Sequence, residues 1–259
     1  SFGVNYTWSM LLEGNTGLFT RLQHNADGSF QERADQGAYE DLNKQLAIQP
    51  HVMRANFVWD LPDLVADGGA KRIIGYLVND WQLSSVFNLS SGTDYNLGFS
   101  YQNNGSAVNL TGSPDYAARI IFTGDPGSGC TGDQYSQFNI NSVTGPGYGS
   151  DGLESGRNIM RGCAQRDIDL SLARTIRIGG GRSVQLRADA FNAFNIVNLN
   201  GRSSTIQYNS PTDLTVRNSQ FAADGSLNQA RLTPRNAGFG AATSAGNMRT
   251  VRLTARFSF

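Results

Sequence analysis

The sequence predicts an all-β protein, an antiparallel up-and-down transmembrane β-barrel of which about six strands are present. Three observations predict it. Apolar and polar residues alternate with period two in six stretches. The connections between those stretches are alternately long and short, as in barrels with long outer loops and short inner turns. The three tryptophans, Trp8, Trp59 and Trp81, fall near stretch ends, where indole rings favour a membrane–water interface.

The composition agrees. The chain has 259 residues, with Lys+Arg 21 against Asp+Glu 21 and no net charge. A dedicated nucleic-acid binder usually carries a basic surplus, so that class is disfavoured. The cations are 19 Arg and 2 Lys, the anions 17 Asp and 4 Glu, and there are 30 Gly and 23 Asn. Gly, Asn and Asp favour turns, whereas Lys and Glu favour helix, so a helical bundle is disfavoured too. Mean hydropathy is negative. No apolar run reaches the ~18 residues of a membrane helix. Membrane strands hide their hydrophobicity by alternation, so they remain open.

The first stretch, about residues 1–11, sets Phe2, Val4, Tyr6, Trp8 and Met10 against Gly3, Asn5, Thr7 and Ser9. It lacks the basic and apolar regions of a secretory signal. A chain opening in mid-pattern reads as a mature piece or a fragment. The second stretch, 51–61, aligns Met53, Ala55, Phe57, Trp59 and Leu61. The third, 80–91, aligns Trp81, Leu83, Phe87 and Leu89. The fourth, 166–178, sets Ile168, Leu170, Leu172, Ile176 and Ile178 against Asp167, Asp169, Ser171, Thr175 and Arg177. The fifth, 183–195, sets Val184, Leu186, Ala188 and Ala190 against Gln185, Arg187 and Asp189. The sixth, 249–259, sets Val251, Leu253, Ala255, Phe257 and Phe259 against Arg252, Thr254, Arg256 and Ser258. No amphipathic helix stands out.

Gly179-Gly180-Gly181 between the fourth and fifth stretches reads as a tight hairpin. Pairing Ile178 with Arg182 there brings Leu172 to Ala188 and Ser171 to Asp189. One face is then apolar, and the other carries Asp167, Asp169, Arg187, Asp189, Arg252 and Arg256 as candidate lumen-facing residues. A lipid-out, water-in wall explains this pattern; so would a soluble β-sandwich with its core on the apolar side. On the charged face, a hydrated wall of paired charges competes with direct substrate contact. Arg174 and Arg182 break the apolar face near its inner end, where an arginine can snorkel.

Cys130 and Cys163 lie in Gly-rich sequence with only His24 and His51 elsewhere. A disulfide in an oxidising compartment is expected, two free thiols being the alternative. Two stretches fit G-x-G-x-x-G, Gly127–Gly132 and Gly147–Gly152. Neither follows a strand and opens a helix, so both read as loops. Asp27-Gly28 and Asp224-Gly225 read as turns. No catalytic constellation, metal site or cofactor site is expected.

The ordered segments resemble the C-terminal barrel part of TonB-dependent outer-membrane receptors, in their Oar-like branch. They are VNYTWS at Val4–Ser9, MRANFVWDLPDL at Met53–Leu64, WQLSSVFNLSSGTDYN at Trp81–Asn96, GRNIMRG at Gly156–Gly162, RDIDLSLARTIRI at Arg166–Ile178, VQLRADAFNAFNIVN at Val184–Asn198, and the closing RTVRLTARFSF. Cys163-Ala departs from the Pro-Gly common after the fourth of these. The resemblance implies a barrel of about 22 strands with an N-terminal plug, energised through TonB by sequence absent here. It implies that Phe257 and Phe259 resemble the aromatic signal read by the barrel-assembly machinery.

Six strands cannot close a membrane barrel, so pairing with strands absent from this sequence is expected. The expected location is the outer membrane of a Gram-negative-type bacterium, in contact with its lipid. The expected role is one wall of a translocation channel, with residues 13–50, 92–164 and 197–246 as extracellular loops for ligands or partners. A structural or adhesive barrel and a soluble β-sandwich binding module are the alternatives.

Overall fold

The computed structural model describes residues 1–10, 12–13, 22–24, 30–32, 45–46, 49–63, 75, 78–102, 108–113, 116–156, 159–246 and 248–259. Six strands form one sheet in chain order. They are β1 (Phe2–Trp8), β2 (His51–Asp60), β3 (Trp81–Ser90), β4 (Gln165–Gly179), β5 (Arg182–Phe191) and β6 (Thr250–Ser258). Every neighbouring pair is antiparallel. β1 and β6 are the two edges, so the sheet is open rather than closed into a barrel.

Period-two alternation survives the pairing because register keeps parity from strand to strand. Trp59 opposes Leu83, which opposes Leu172, then Ala188, then Leu253. One residue along, Val58 opposes Ser84, then Ser171, Asp189 and Arg252. The first row belongs to an apolar face spanning all six strands, the second to a polar face. The apolar face is uncovered: Phe2 is 85% exposed, Leu253 79% and Phe257 68%. A serine intrudes on it at Ser85, whose hydroxyl donates to the Asp169 carbonyl at 2.7 Å and so leaves no free polar group.

The β4–β5 hairpin pairs Gly179 with Arg182, and the register shifts between Arg177 and Gly179. The sequence reading placed Ile178 there. Gly179, Gly180 and Gly181 all take positive φ, which lets one extra residue bulge without a Cβ penalty. Above the bulge, Leu172 meets Ala188 and Ser171 meets Asp189.

Two strands end earlier than the alternation suggested. β1 stops at Trp8 rather than about 11. β5 stops at Phe191 rather than 195 because Asn192 and Asn195 take left-handed φ of 47° and 52°. There the Asn195 N–H bonds the Asn192 carbonyl at 2.8 Å, closing a turn. In the β2–β3 connection Gly75 and Val78 are helical, with the Asn79 N–H donating to the Gly75 carbonyl, an element the sequence reading did not anticipate.

The buried core lies outside the sheet. Tyr101, Leu110, Ile120, Phe138, Met160, Ile206, Tyr208 and Phe239 pack into one cluster, all drawn from the long connections after β3 and β5. Short ladders frame it. Gly98–Tyr101 runs parallel to Thr205–Ser210, Asp94–Tyr95 pairs Met160–Arg161, and Leu199–Arg202 pairs Ala242–Ala245. Two of the stretches expected to be extracellular loops, 92–164 and 197–246, therefore pack together as a folded cap. Tyr95, Leu97, Phe99 and Tyr101 alternate with period two, as do Ile206 and Tyr208, but the runs are short and nothing in them records which segments meet. Of 13–50, only residues 13, 22–24, 30–32, 45–46 and 49–50 are described; the rest of that stretch, and Asp27-Gly28, lie outside the described residues.

Asparagine and glutamine side chains replace backbone ladders inside the cap. Gln137 Nε2 donates to the Thr131 and Asp133 carbonyls. Gln220 bridges the Arg231 carbonyl and the Gly238 N–H. Asn218 bridges the Thr205 carbonyl and the Gln207 N–H. A buried peptide group needs a partner, and a carboxamide offers both a donor and an acceptor. The high Asn content thus serves a packed structure.

Candidate functional site: the polar face of the sheet and its cap

The polar face gathers the six charged residues singled out from the sequence. Asp167 opposes Asn88, and Asp169 opposes Val86. Arg187 opposes Ala173, Asp189 opposes Ser171 and Arg252, and Arg256 opposes Gln185. Asp189 is 4% exposed and stands at the centre of an ion network. Arg187 Nε reaches its carboxylate at 2.6 Å and Arg252 at 3.4 Å. Arg252 also lies over the Phe191 ring at 5.2 Å. Two cations share one anion, which leaves this part of the face electropositive.

Toward the cap the face turns acidic and is tied down. Asp169 accepts from the Asn192 N–H at 2.9 Å. Asp167 accepts from Asn198 Nδ2 at 3.3 Å. Asn198 also holds the backbone of Arg166, donating to its carbonyl at 2.8 Å and accepting from its N–H at 3.0 Å. These asparagines couple the cap to β4, and the alternation did not single them out. The run Asn192-Ala-Phe-Asn-Ile-Val-Asn198 was visible in the sequence, but was read partly as strand.

Cys130 and Cys163 form a disulfide with a Cα–Cα distance of 5.0 Å. It joins the loop at 127–133 to the residues immediately before β4. Beside it, Gly92 and Gly162 approach so closely that a Cβ on Gly92 would sit 1.8 Å from the Gly162 carbonyl oxygen. Arg161 ties the same place, one guanidinium nitrogen donating to the Gly92 carbonyl at 3.0 Å.

The tryptophans lie on the apolar face at its two ends. Trp8, 61% exposed, opposes His51 at the long-connection end. Trp59, 54% exposed, opposes Leu83 near the short-connection end. Trp81 opposes Arg174, whose guanidinium lies 5.6 Å over its ring while Nε donates to the Asn79 carbonyl at 3.3 Å. From His51 to Trp59 is about 27 Å of strand, or about 20 Å of membrane normal at a tilt of ~40°. Phe257 opposes Val184 on this face, and Phe259 is fully exposed beyond it.

Within the cap, burial raises the Tyr95 phenol to about 12, the nearby Arg202 charge partly opposing the rise. Its hydroxyl donates to the Gly129 carbonyl at 2.8 Å. Burial likewise raises Tyr101 to about 12, and its hydroxyl donates to the Pro146 carbonyl. Arg202 lies 5.3 Å over the Tyr95 ring, and desolvation pushes its guanidinium down. The two G-x-G-x-x-G matches are loops here: Gly127, Gly129, Gly149 and Gly152 take positive φ with no helix following. Among the described residues no group of three or more His, Cys, Asp and Glu is arranged to hold a metal ion.

A family model described as an outer membrane beta barrel domain matches residues 1–252. No curated protein and no solved structure matches the chain.

Proposed function

We propose, from the premise that this chain belongs to the outer membrane beta barrel domain family, that its sheet is a stretch of channel wall in a TonB-dependent outer-membrane transporter. The protein is located in the outer membrane. One observation carries the channel reading: an uncovered apolar face and a polar face, charged on four of the strands, run in register across all six strands. A soluble sandwich would cover its apolar face with a second sheet, whereas here that face is exposed and the buried core lies in the cap.

In this reading the apolar face meets lipid, and the face carrying Asp189 meets the water-filled interior. Edges β1 and β6 pair with the remaining strands of the same barrel, since unpaired backbone in hydrocarbon costs several kcal/mol per group. The plug and the TonB contact come from those other parts. Phe257 and Phe259 present aromatics to the barrel-assembly machinery. The cap faces outward and takes ligands or partner proteins, and the chain does no bond-making chemistry.

Uptake by the full-length protein in cells with and without TonB tests the reading. Accumulation that requires both the protein and TonB is the expected result. TonB-independent accumulation overturns the TonB coupling and leaves a passive channel, and no accumulation with a folded barrel favours a structural or adhesive barrel instead.

A further inference from the structure

We infer that the cap-side end of the apolar face binds the phosphorylated headgroup of a membrane lipid through Arg166 and Arg249. The inference rests on the reading of the sheet as barrel wall. Parity puts Arg166 on the lipid face, where it opposes Leu89, and Arg249 immediately precedes β6 at the same end of the sheet. A guanidinium facing lipid is tolerated only where it reaches the headgroups, and both lie at the long-connection end.

Their side chains are uncommitted. Both residues are exposed, and among the described residues neither guanidinium has a hydrogen bond, ion pair or ring contact. Arg174, at the opposite end of the same face, is held by Trp81 and the Asn79 carbonyl. Arg187 and Arg252 are engaged by Asp189. The backbones of Arg166 and Arg249, by contrast, are fixed. Asn198 clamps Arg166 from both sides, and Asn195 Oδ1 accepts from the Arg249 N–H at 3.2 Å. One seven-residue turn thus presents two free guanidinium groups.

The surroundings are amphiphilic. Phe194 is 63% exposed, Val197 68% and Met248 83%, all in the same two segments. Asn195 and Asn198, three residues apart on one turn, hold the Arg249 and Arg166 backbones. A headgroup with one or two phosphates offers oxygens that accept forked N–H pairs from each guanidinium. Acyl chains then lie along the apolar rows below. Charge and apolar surface together favour an anionic lipid over a soluble anion.

The test uses the full-length protein in nanodiscs of phosphatidylcholine doped with phosphatidic acid. Native mass spectrometry reads the phosphatidic acid retained per barrel. The wild type is expected to retain it, R166Q/R249Q about tenfold less, and R166K/R249K, which keeps the charge but not the fork, an intermediate amount. R182Q, at the other end of the face, is expected to match the wild type. Equal retention by the wild type and R166Q/R249Q overturns the site. Displacement by inorganic phosphate with no preference between doped and undoped discs overturns the lipid assignment. Heat-modifiable mobility of each variant reports whether the barrel is folded in the membrane. A wild type that fails that check overturns the wall reading and the site built on it, whereas folded barrels with equal retention overturn the site alone.

Discussion

Asn198 holds Arg166 as a neighbouring strand would: its carboxamide oxygen accepts from the Arg166 N–H at 3.0 Å and its nitrogen donates to the Arg166 carbonyl at 2.8 Å. β5 has already ended at Phe191, so the upper part of β4 has lost its ladder partner on that side. A single side chain restores both bonds and ties the cap to the wall.

Replacing Asn198 with Ala removes both bonds and strands two backbone groups, at a cost of roughly 1–3 kcal/mol. Replacing it with Asp keeps the acceptor but sets a carboxylate against the Arg166 carbonyl. The Ala variant should speed amide exchange at Arg166 while the lower ladder of β4 stays protected, and the Asp variant, which retains the acceptor, should speed it less. Unchanged exchange at Arg166 would show that the clamp is dispensable.

The disulfide should stabilise the cap and leave the sheet alone. Closing the loop between Cys130 and Cys163 contributes roughly 3–4 kcal/mol in the chain-entropy model. Cys130→Ser with Cys163→Ser should therefore make the stretch 92–164 sensitive to protease. Insertion and heat-modifiable mobility of the barrel should persist, because the six strands pair without it. Loss of insertion would place the disulfide in the assembly pathway instead.

The network at Asp189 should be unequal in its two arms. Arg187 approaches to 2.6 Å and Arg252 to 3.4 Å, and their side chains are 50% and 63% exposed. Water screens both, so each arm contributes about 1 kcal/mol or less, with Arg187→Gln costing more than Arg252→Gln. Asp189→Asn leaves two uncompensated cations and should raise the anion preference of the channel in planar bilayers. A double-mutant cycle on thermal unfolding measures the couplings, and equal arms would contradict the geometry.

Alkaline pH should weaken the cap through Tyr95. Burial raises its folded value to about 12 from the ordinary 10.0. A phenol raised on folding contributes stability fully below the unfolded value and loses it as pH climbs to the folded one. The loss therefore runs from about pH 10 to about pH 12. Tyr95→Phe should flatten that window at the cost of the bond to Gly129, and Tyr101 contributes in the same sense. Ultraviolet titration checks it: a tyrosine fraction ionising only above about pH 11 is expected.

Much of the wall was legible because its code is local. A strand's two faces follow from period two, so Leu172 and Ser171 declared their sides before any partner was known. Parity then carried those sides across the sheet, and the Leu172–Ala188 and Ser171–Asp189 pairs stand as the alternation implied. β5 ends before the expected stretch 183–195 does because Phe194 keeps the parity of Val184, Leu186, Ala188 and Ala190 while the left-handed Asn192 and Asn195 turn the chain out of the strand.

By itself, then, the sequence determined the strands, their two faces and the sense of the sheet, since alternation and short turns act between near neighbours. Only tertiary structure decided that the long connections form a cap. Met160, Tyr208 and Phe239 meet there from distant segments, each 2% exposed or less. No spacing records such a meeting, because the free energy comes from burying scattered side chains together and from amides such as Asn198 pairing whatever backbone the packing brings to them.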